Sequence, residues 1–215
     1  MSHEFTVEDS EILHEAPILA LRRDTVSMPG GRSAKREIIE HFGAVAVVAM
    51  RKSGEIAMVR QYRHSVQQRL WELPAGLLDV ADESALCCAQ RELQEEAGLS
   101  AGRWELLTDV VSSPGFCEEA IRIFIARDLQ EVPQPEAVDE EADMTLRWIA
   151  VDQAARAVMR GEIVNSIAVS GIMAAYYATE NDTALRSVDT PFSLRPTRLA
   201  ARRAAQWGEG DLKRV

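Results

Sequence analysis

The chain has 215 residues, of which 47% are hydrophobic and 27% charged, a composition that excludes global disorder and allows one domain with an appended element. The formal net charge of −10 argues against broad nucleic-acid binding. Three cysteines, an odd number, exclude a disulfide framework and favour a cytoplasmic setting. The N-terminus lacks the pattern of a signal peptide, and the apolar run 44–50 is too short to span a membrane.

The first part of the chain is predicted to be rich in strands. Residues 5–28 alternate loosely and end at the turn signal Pro29-Gly30-Gly31. A continuous apolar run rich in valine, 44–50, predicts a buried strand. We expect three further extended segments, at 36–42, 56–63 and 71–76.

Helices are predicted after residue 82. The run 83–97 meets Gly98, a residue type that commonly ends helices. We expect strands at 104–111, 121–126 and 144–150, a polar loop at 129–143, and helices at 151–160, 165–179 and 197–207. This order predicts an α+β fold, a mixed α/β/α sandwich with an N-terminal β-extension.

Charge and composition divide the chain into three parts. Residues 1–42 are the β-extension, residues 43–181 the main domain, and residues 182–215 a basic tail with seven basic and four acidic residues. The stretch 78–143 is acidic by contrast, with 17 acidic and 4 basic residues. Because a polyanionic substrate would be repelled there unless cations were bound, this distribution favours a metal-dependent function.

The run after residue 90 concentrates carboxylates on one face of the predicted helix. Glu92, Glu95 and Glu96 lie at i, i+3 and i+4, a spacing at which like charges repel each other and destabilise a helix. Mg²⁺ and Mn²⁺ bind carboxylate oxygens, often alongside substrate phosphates. The pattern therefore predicts a metal site, in which Glu92 and Glu96 bind one cation and Glu95 completes a second site.

The segment 76–99 resembles the Nudix box, Gly-x5-Glu-x7-Arg-Glu-U-x-Glu-Glu-x-Gly-U, where U is a bulky aliphatic residue. From Glu83 onward the match is complete, but six residues rather than five separate Glu83 from Gly76. An alternative register places Asp82 at the first glutamate position and moves Arg91 out of step. We therefore expect the extra residue to lie in the loop before the helix.

The resemblance implies roles for the residues around the glutamates. Arg91 pairs with Glu83 and holds a carboxylate in position, and the backbone carbonyl of Ala75 completes the metal shell. The implied cofactor is Mg²⁺, with Mn²⁺ as an alternative. Members of the family mostly hydrolyse nucleoside diphosphates that are linked to another group.

Features beyond the box are similar to the ADP-ribose pyrophosphatase branch of the family, of the actinobacterial type. Pro114 lies fifteen residues past Leu99, a spacing that resembles that branch. The other similar segments are 62–63, 71–76, 140–143 and 161–166. The resemblance implies that the substrate is ADP-ribose or a related nucleotide sugar, and the residues we expect to bind it are Arg63, Arg36, Glu37, Pro114 and Gly115.

The resemblance further implies that the proton acceptor is a glutamate from a loop outside the box. Glu140 and Glu141 are the candidates, and the alignment of the segment 139–144 favours Glu141. With Arg91 and Glu83 they make up the expected catalytic set. The implied reaction is metal-dependent hydrolysis of the pyrophosphate bond of ADP-ribose to AMP and ribose 5-phosphate.

Two other functions fit the same motif. One is hydrolysis of another nucleotide sugar or of an oxidised nucleotide, and the other is a non-catalytic Nudix domain that senses ADP-ribose. The intact carboxylates disfavour the second. The resemblance also implies a homodimer that exchanges its N-terminal strands, and we expect neither nucleic acid nor membrane as a partner.

Overall fold

The computed structural model describes residues 3–135, 143–208 and 210–213. Within these ranges the chain forms ten strands and four helices. The strands are β1 (Val7–Ala16), β2 (Leu19–Met28), β3 (Arg32–His41), β4 (Ala44–Ala49), β5 (Glu55–Arg63), β6 (Gln68–Glu72), β7 (Ala75–Leu77), β8 (Leu99–Val111), β9 (Ala120–Glu131) and β10 (Thr145–Ala150). The helices are α1 (Ala85–Ala97), α2 (Val151–Met159), α3 (Ser166–Glu180) and α4 (Arg198–Trp207).

The strands form three sheets. The N-terminal sheet has the order β1-β2-β3, and all its pairs are antiparallel. A second sheet has the order β10-β5-β6, and the central sheet has the order β7-β4-β9-β8. In the central sheet β4 runs parallel to β9, while β7 and β8 are antiparallel to their neighbours. The fold is therefore the predicted α+β sandwich with an N-terminal β-extension.

Strand β4 is buried along its whole length because helices cover both faces of the central sheet. Successive side chains of a strand point to opposite faces. Ala46 and Val48 thus pack in the core shared with α2 and α3, whereas Val45 and Val47 pack in the core shared with α1. This alternation places α1 and α3 on opposite sides of the sheet.

Helix α1 has a capping residue at each end. The Ser84 hydroxyl accepts a hydrogen bond from the Cys87 backbone N–H at 3.1 Å, which satisfies one of the free donors of the first turn. Gly98 ends the helix in the left-handed conformation, with φ 62° and ψ 34°. The helix therefore begins two residues later than the predicted Glu83 and ends where the sequence predicted.

Several predicted boundaries were wrong. Residues 5–28, for which the sequence predicted only loose alternation, contain the two strands β1 and β2, and β8 begins at Leu99, immediately after α1, rather than at Trp104. Strand β9 continues to Glu131, inside the predicted polar loop. In each case pairing with a neighbouring strand extends the element beyond what the local residue types favour.

The basic tail folds back onto the N-terminal sheet. Helix α4 buries Leu199 against Ala20 and Phe42, and Arg202 bridges Glu15 at 2.7 Å and Glu40 at 2.5 Å. The tail thereby links the β-extension to the rest of the chain. Among the described residues, none of the helices combines the length and hydropathy that crossing a membrane requires.

Candidate active site

Helix α1 carries the three predicted metal-binding glutamates toward β7. Glu92 is buried, and Glu95 and Glu96 are half-buried. The Glu96 carboxylate accepts a hydrogen bond from the backbone N–H of Ala75 at 2.9 Å, which ties the helix to the strand. The structure therefore brings Ala75 and the glutamate face of α1 together.

Gly76 leaves the space that the Glu92 side chain occupies. A Cβ atom built at Gly76 would lie 1.9 Å from Cδ and 2.0 Å from Oε1 of Glu92, far inside any van der Waals contact. The glycine does not have a positive φ, so its role is close approach rather than backbone freedom. The constraint at Gly76 is therefore the Glu92 side chain packed above it.

Arg91 contacts three carboxylates. Its guanidinium donates two hydrogen bonds of 3.1 Å to the oxygens of Glu83. It also donates to Glu92 at 2.7 Å and to Glu95 at 2.8 Å through Nη1. A single cation thus gathers the acidic residues of the box and reduces their mutual repulsion.

The position of the extra loop residue can be read from the same contacts. Glu83 is half-buried and faces Arg91, whereas Asp82 is exposed and has a φ of 61°. Aspartate tolerates this left-handed conformation better than most residues. The geometry therefore favours the register with Glu83 at the first glutamate position and the additional residue in the preceding loop.

Burial controls the electrostatics of Glu92. Desolvation raises its pKa to about 7, while the charge and hydrogen bond of Arg91 oppose the increase and the nearby carboxylates of Glu95 and Asp79 add to it. A buried carboxylate surrounded by other carboxylates is stabilised in its ionised form by a cation. By residue type, the carboxylates of this face are the ligands that a hard divalent metal ion prefers.

Arginine contacts dominate the site in the described structure. Within residues 3–135, 143–208 and 210–213, no three His, Cys, Asp or Glu side chains are gathered closely enough to hold a metal ion. Glu92 and Glu95 instead share Nη1 of Arg91. A bound cation would have to compete with this guanidinium for the two carboxylates.

Three of the predicted substrate-binding residues line one cleft of about 460 Å³. Arg36 comes from β3, and Pro114 and Gly115 come from the turn between β8 and β9. Backbone hydrogen bonds hold this turn to β3, from the Ile39 N–H to the Phe116 carbonyl at 2.7 Å and from the Glu118 N–H to the Ile39 carbonyl at 3.1 Å. The cleft thus lies between the β-extension and the central sheet.

The other two predicted substrate residues lie elsewhere. Glu37 follows Arg36 on the strand, so it points to the opposite face, where Arg23 donates to it at 2.7 Å. Arg63 donates two hydrogen bonds to the buried carboxylate of Glu72, at 3.0 and 2.7 Å. Both arginine–glutamate pairs lie within the β-sheets. Neither Glu37 nor Arg63 lines the cleft that contains Arg36. Glu140 and Glu141, the predicted bases, lie outside the described residues.

One ion pair beside the glutamates was not predicted. The Lys213 ammonium lies 2.8 Å from a carboxylate oxygen of Asp79, whose side chain is 6% exposed. Backbone hydrogen bonds also join the two segments, from Ala81 to Gly210 at 3.0 Å and from Leu212 to Asp79 at 2.8 Å. The excess of basic residues in the tail was the available signal in the sequence, but Asp79 lies more than a hundred residues before Lys213.

The comparisons with known proteins agree with this architecture. Residues 40–167 match the model of the NUDIX domain, which is more than half of the chain. An ADP-ribose pyrophosphatase of Mycobacterium tuberculosis is 54% identical over 202 residues, 94% of this chain and 98% of the relative. A methanol dehydrogenase activator of Bacillus methanolicus is 32% identical over 163 residues, 76% of this chain and 88% of the relative.

A solved structure described as an ADP compounds hydrolase shares the fold. Its TM-score is 0.71 at 17% sequence identity, and the alignment covers 84% of this chain and 96% of that one. At this identity the similarity concerns the fold alone. The glutamate face, the Gly76 approach and the family match over residues 40–167 lead to one conclusion: the chain belongs to the Nudix family.

Proposed function

We propose that the protein is a Nudix pyrophosphohydrolase that hydrolyses ADP-ribose to AMP and ribose 5-phosphate. The observation that carries the proposal is the Arg91-centred set of carboxylates on α1, held against β7 by the contact of Glu96 with Ala75. The substrate follows from the relative that shares 54% of its residues with this chain over nearly its whole length and is named an ADP-ribose pyrophosphatase.

The reaction adds one water molecule across the pyrophosphate linkage. A P–O bond forms to the water oxygen, the bridging P–O bond breaks, and the bridging oxygen leaves with the other phosphate. A divalent ion, when bound, polarises phosphoryl oxygens and lowers the pKa of a bound water. We propose Glu92, Glu96 and Glu95 as its carboxylate ligands, with the Ala75 carbonyl as a further oxygen, and Mg²⁺ or Mn²⁺ as the ion.

Arg91 and Glu83 act as positioning residues in this scheme. The doubly hydrogen-bonded pair fixes the guanidinium, and the remaining nitrogen, Nη1, orients Glu92 and Glu95. We propose that Glu141, or Glu140 beside it, accepts the proton that the attacking water loses. A carboxylate outside the box can serve as base because the box glutamates are committed to cation binding.

For substrate binding we propose the cleft that contains Arg36, Pro114 and Gly115. The guanidinium of Arg36 suits an anionic or aromatic group. The side chain of Phe116, which is 56% exposed, provides an aromatic surface in the same cleft. Arg63 and Glu37 remain candidate contacts, and each already pairs with another side chain, Arg63 with Glu72 and Glu37 with Arg23.

The wider assignment follows the same reasoning. We propose a homodimer that exchanges its N-terminal strands, because β1 is an edge strand exposed along most of its length. We also propose a cytoplasmic setting, consistent with the free thiols of all three cysteines. We propose that the chain divides into the extension 1–42, the Nudix domain 43–181 and the tail 182–215.

Product analysis tests the proposed reaction directly. The protein is incubated with ADP-ribose and Mg²⁺, and AMP and ribose 5-phosphate are quantified in equal amounts. A panel of other nucleotide sugars and oxidised nucleoside triphosphates is assayed in parallel. A kcat/KM at least tenfold higher for any of these than for ADP-ribose would replace the proposed substrate.

Two glutamate variants test the metal assignment. We expect Glu96→Gln to reduce kcat by about a hundredfold or more, as removal of a metal ligand does. Glu162→Gln is the matched control, because Glu162 is an exposed glutamate outside the box that is paired with Arg160. Near-normal Mg²⁺-dependent turnover in Glu96→Gln would show that the metal assignment is wrong.

Glu141→Gln and Glu140→Gln separate the two candidate bases. We expect the variant of the true base to lose kcat with little change in KM or in the Mg²⁺ concentration for half-activation, since metal binding is intact. The limb of the pH–rate profile that reports the base should disappear in that variant alone. Equal activity of both variants and the parent would remove this loop from the mechanism.

A further inference from the structure

A second cleft lies at the end of the central sheet opposite to the glutamate face. It has a volume of about 710 Å³, within the range of small-molecule sites, and it is bordered by the C-terminal ends of β4 and α3. Ala75 and Gly76 pair with Ala46 and Val45 of β4, whereas the cleft begins at Met50, so roughly 13–17 Å of extended chain separates the two regions. The proposed reaction makes no use of this cleft.

An unusual charge arrangement occupies the wall of the cleft. Arg103 on β8 and Arg127 on β9 are directly opposite each other in the antiparallel ladder, so their side chains share one face. Like charges in this position destabilise a sheet. Burial and the charge of Arg103 lower the pKa of Arg127 below the ordinary arginine value. The sheet thus maintains two guanidiniums together at an energetic cost.

A single carboxylate serves both arginines. Oε2 of Glu105 lies 2.8 Å from Nη1 of Arg127 and 3.4 Å from Nε of Arg103. One carboxylate therefore contacts both guanidiniums: its Oε2 accepts a hydrogen bond from Arg127 and forms a longer ion pair with Arg103. An anion with several oxygens can accept hydrogen bonds from both guanidiniums and competes with Glu105 for them.

Two more cations line the same cleft. The Arg51 guanidinium lies 3.5 Å above the ring centroid of Trp148, a contact that orients the group without neutralising it. Lys52 is 4.0 Å from Asp128, at the limit of an ion pair, and is 91% exposed. Counting Asp182 as well, four cations face three carboxylates, a positive balance in a chain whose net charge is −10.

We propose that this cleft is a second ligand site that binds the phosphate group of a small molecule between Arg103 and Arg127. Arginine binds phosphate oxygens through its fork of N–H donors, and the volume leaves room for the sugar or nucleoside of a phosphomonoester. The ligand displaces Glu105 from the arginine pair. The site is independent of the box and of whatever substrate the box hydrolyses.

Calorimetric titration of the metal-free protein with inorganic phosphate tests the site, because binding is then measured without turnover. We expect Arg103→Gln to raise the Kd by roughly fivefold. We expect Glu105→Gln to lower the Kd, since it removes the competing carboxylate. The opposite directions of these two changes distinguish a built anion site from a general effect of net charge.

Matched controls come from an ion pair elsewhere on the surface whose arginine is as exposed as Arg103. Arg160 is 56% exposed and pairs with Glu162 at 2.6 Å, and Arg103 is also 56% exposed. Arg160→Gln and Glu162→Gln change the net charge by the same amounts and should leave the phosphate Kd unchanged. Equal Kd values for Arg103→Gln and Arg160→Gln, or no phosphate binding to the parent protein, would overturn the proposal.

Two organic phosphates identify the source of the bound group. Ribose 5-phosphate and AMP are titrated in the same metal-free conditions into the parent protein and into Arg103→Gln. A tighter Kd than that of inorganic phosphate, lost in Arg103→Gln, assigns the site to a phosphomonoester. Binding no tighter than that of inorganic phosphate, with the same dependence on Arg103, assigns it to free phosphate.

Discussion

Arg91 and Glu83 are joined by two hydrogen bonds of 3.1 Å, across the first two turns of α1. Glu83 precedes the capping residue Ser84, so it is held at the end of a loop rather than on the helix itself. The pair therefore connects the loop of six residues to the carboxylates that follow it. We therefore expect Glu83, and not Asp82, to be the acidic residue of this segment that matters for activity.

Substitution of the two loop acids tests this relationship. We expect Glu83→Gln to lower kcat by about 10- to 100-fold, because Arg91 would lose the partner that orients it. Asp82→Asn is the matched control and should stay within twofold, since Asp82 is exposed in the loop before the helix. Steady-state kinetics with varied Mg²⁺ measures both, and a larger loss in Asp82→Asn would reverse the assigned register.

Gly76→Ala should inactivate the protein while leaving it folded. The new methyl group would lie 1.9 Å from Cδ of Glu92, so the carboxylate must move away from β7. Overpacking of this kind costs about 1–3 kcal/mol of stability. Activity assays and thermal unfolding should show a large loss of kcat with a modest fall in Tm.

Gly102→Ala is the control for that substitution. Its Cβ would meet Asp128 at 3.4 Å, an ordinary contact, and it has no positive φ. We expect unchanged activity and a change in stability under about 1 kcal/mol. If Gly76→Ala behaved like this control, the close approach of Glu92 would have no functional importance.

Arg22 and Asp24 form a buried ion pair in the β-extension, and this pair predicts that acid destabilises the fold. Burial alone would raise the pKa of Asp24, but hydrogen bonds from Ser10 and Arg22 and the charge of Arg22 outweigh it and hold the pKa below the ordinary value of 3.8. A carboxylate with a lowered pKa in the folded state stabilises the fold above the unfolded pKa. That contribution is lost as the pH falls through the folded pKa.

Urea unfolding between pH 6 and pH 3 measures the effect. We expect the free energy of unfolding of the parent protein to fall below about pH 4, and Asp24→Asn to show a flatter pH dependence from a lower starting value. At neutral pH the variant should be less stable by about 1–3 kcal/mol, because Arg22 is buried and loses one partner. Parallel curves for the two proteins would exclude Asp24 as the source.

The ion pair between Lys213 and Asp79 predicts that these two residues are energetically coupled. Lys213→Met leaves the carboxylate of Asp79, 6% exposed, without its ammonium partner, and we expect a loss of about 1–2 kcal/mol. A double-mutant cycle with Asp79→Asn should give a coupling energy of at least about 0.5 kcal/mol. Lys52→Met is the control, because its lysine is 91% exposed and should change stability by less than about 0.5 kcal/mol.

Local patterns explain why much of this architecture was predictable. The valine-rich run that became β4 is buried on both faces, and the combination of carboxylate spacing with Gly98 located α1 and its end. The pairing of Glu83 with Arg91 was also expected, from the family resemblance. These features depend on residues that are close in sequence or on a motif with fixed offsets.

The features that were missed depend on distant parts of the chain. Leu99–Arg103 contains serine, alanine and glycine, residues that favour strands weakly, and it joins β8 only through pairing with β9. The sequence near Arg63 does not indicate that Arg63 donates two hydrogen bonds to Glu72. The opposed arginines on β8 and β9 likewise depend on a register that the sequence does not display.

The packing of α3 has a consequence for any attempt to reduce the protein to its recognisable family region. That region ends at residue 167, only one residue past the start of α3 at Ser166. Yet a Cβ atom at Gly171 would lie 2.5 Å from Leu73, three residues before Gly76, so α3 supports the segment that leads into the glutamate site. A protein trimmed to residues 40–167 would keep every residue of the box and lose the helix that backs it.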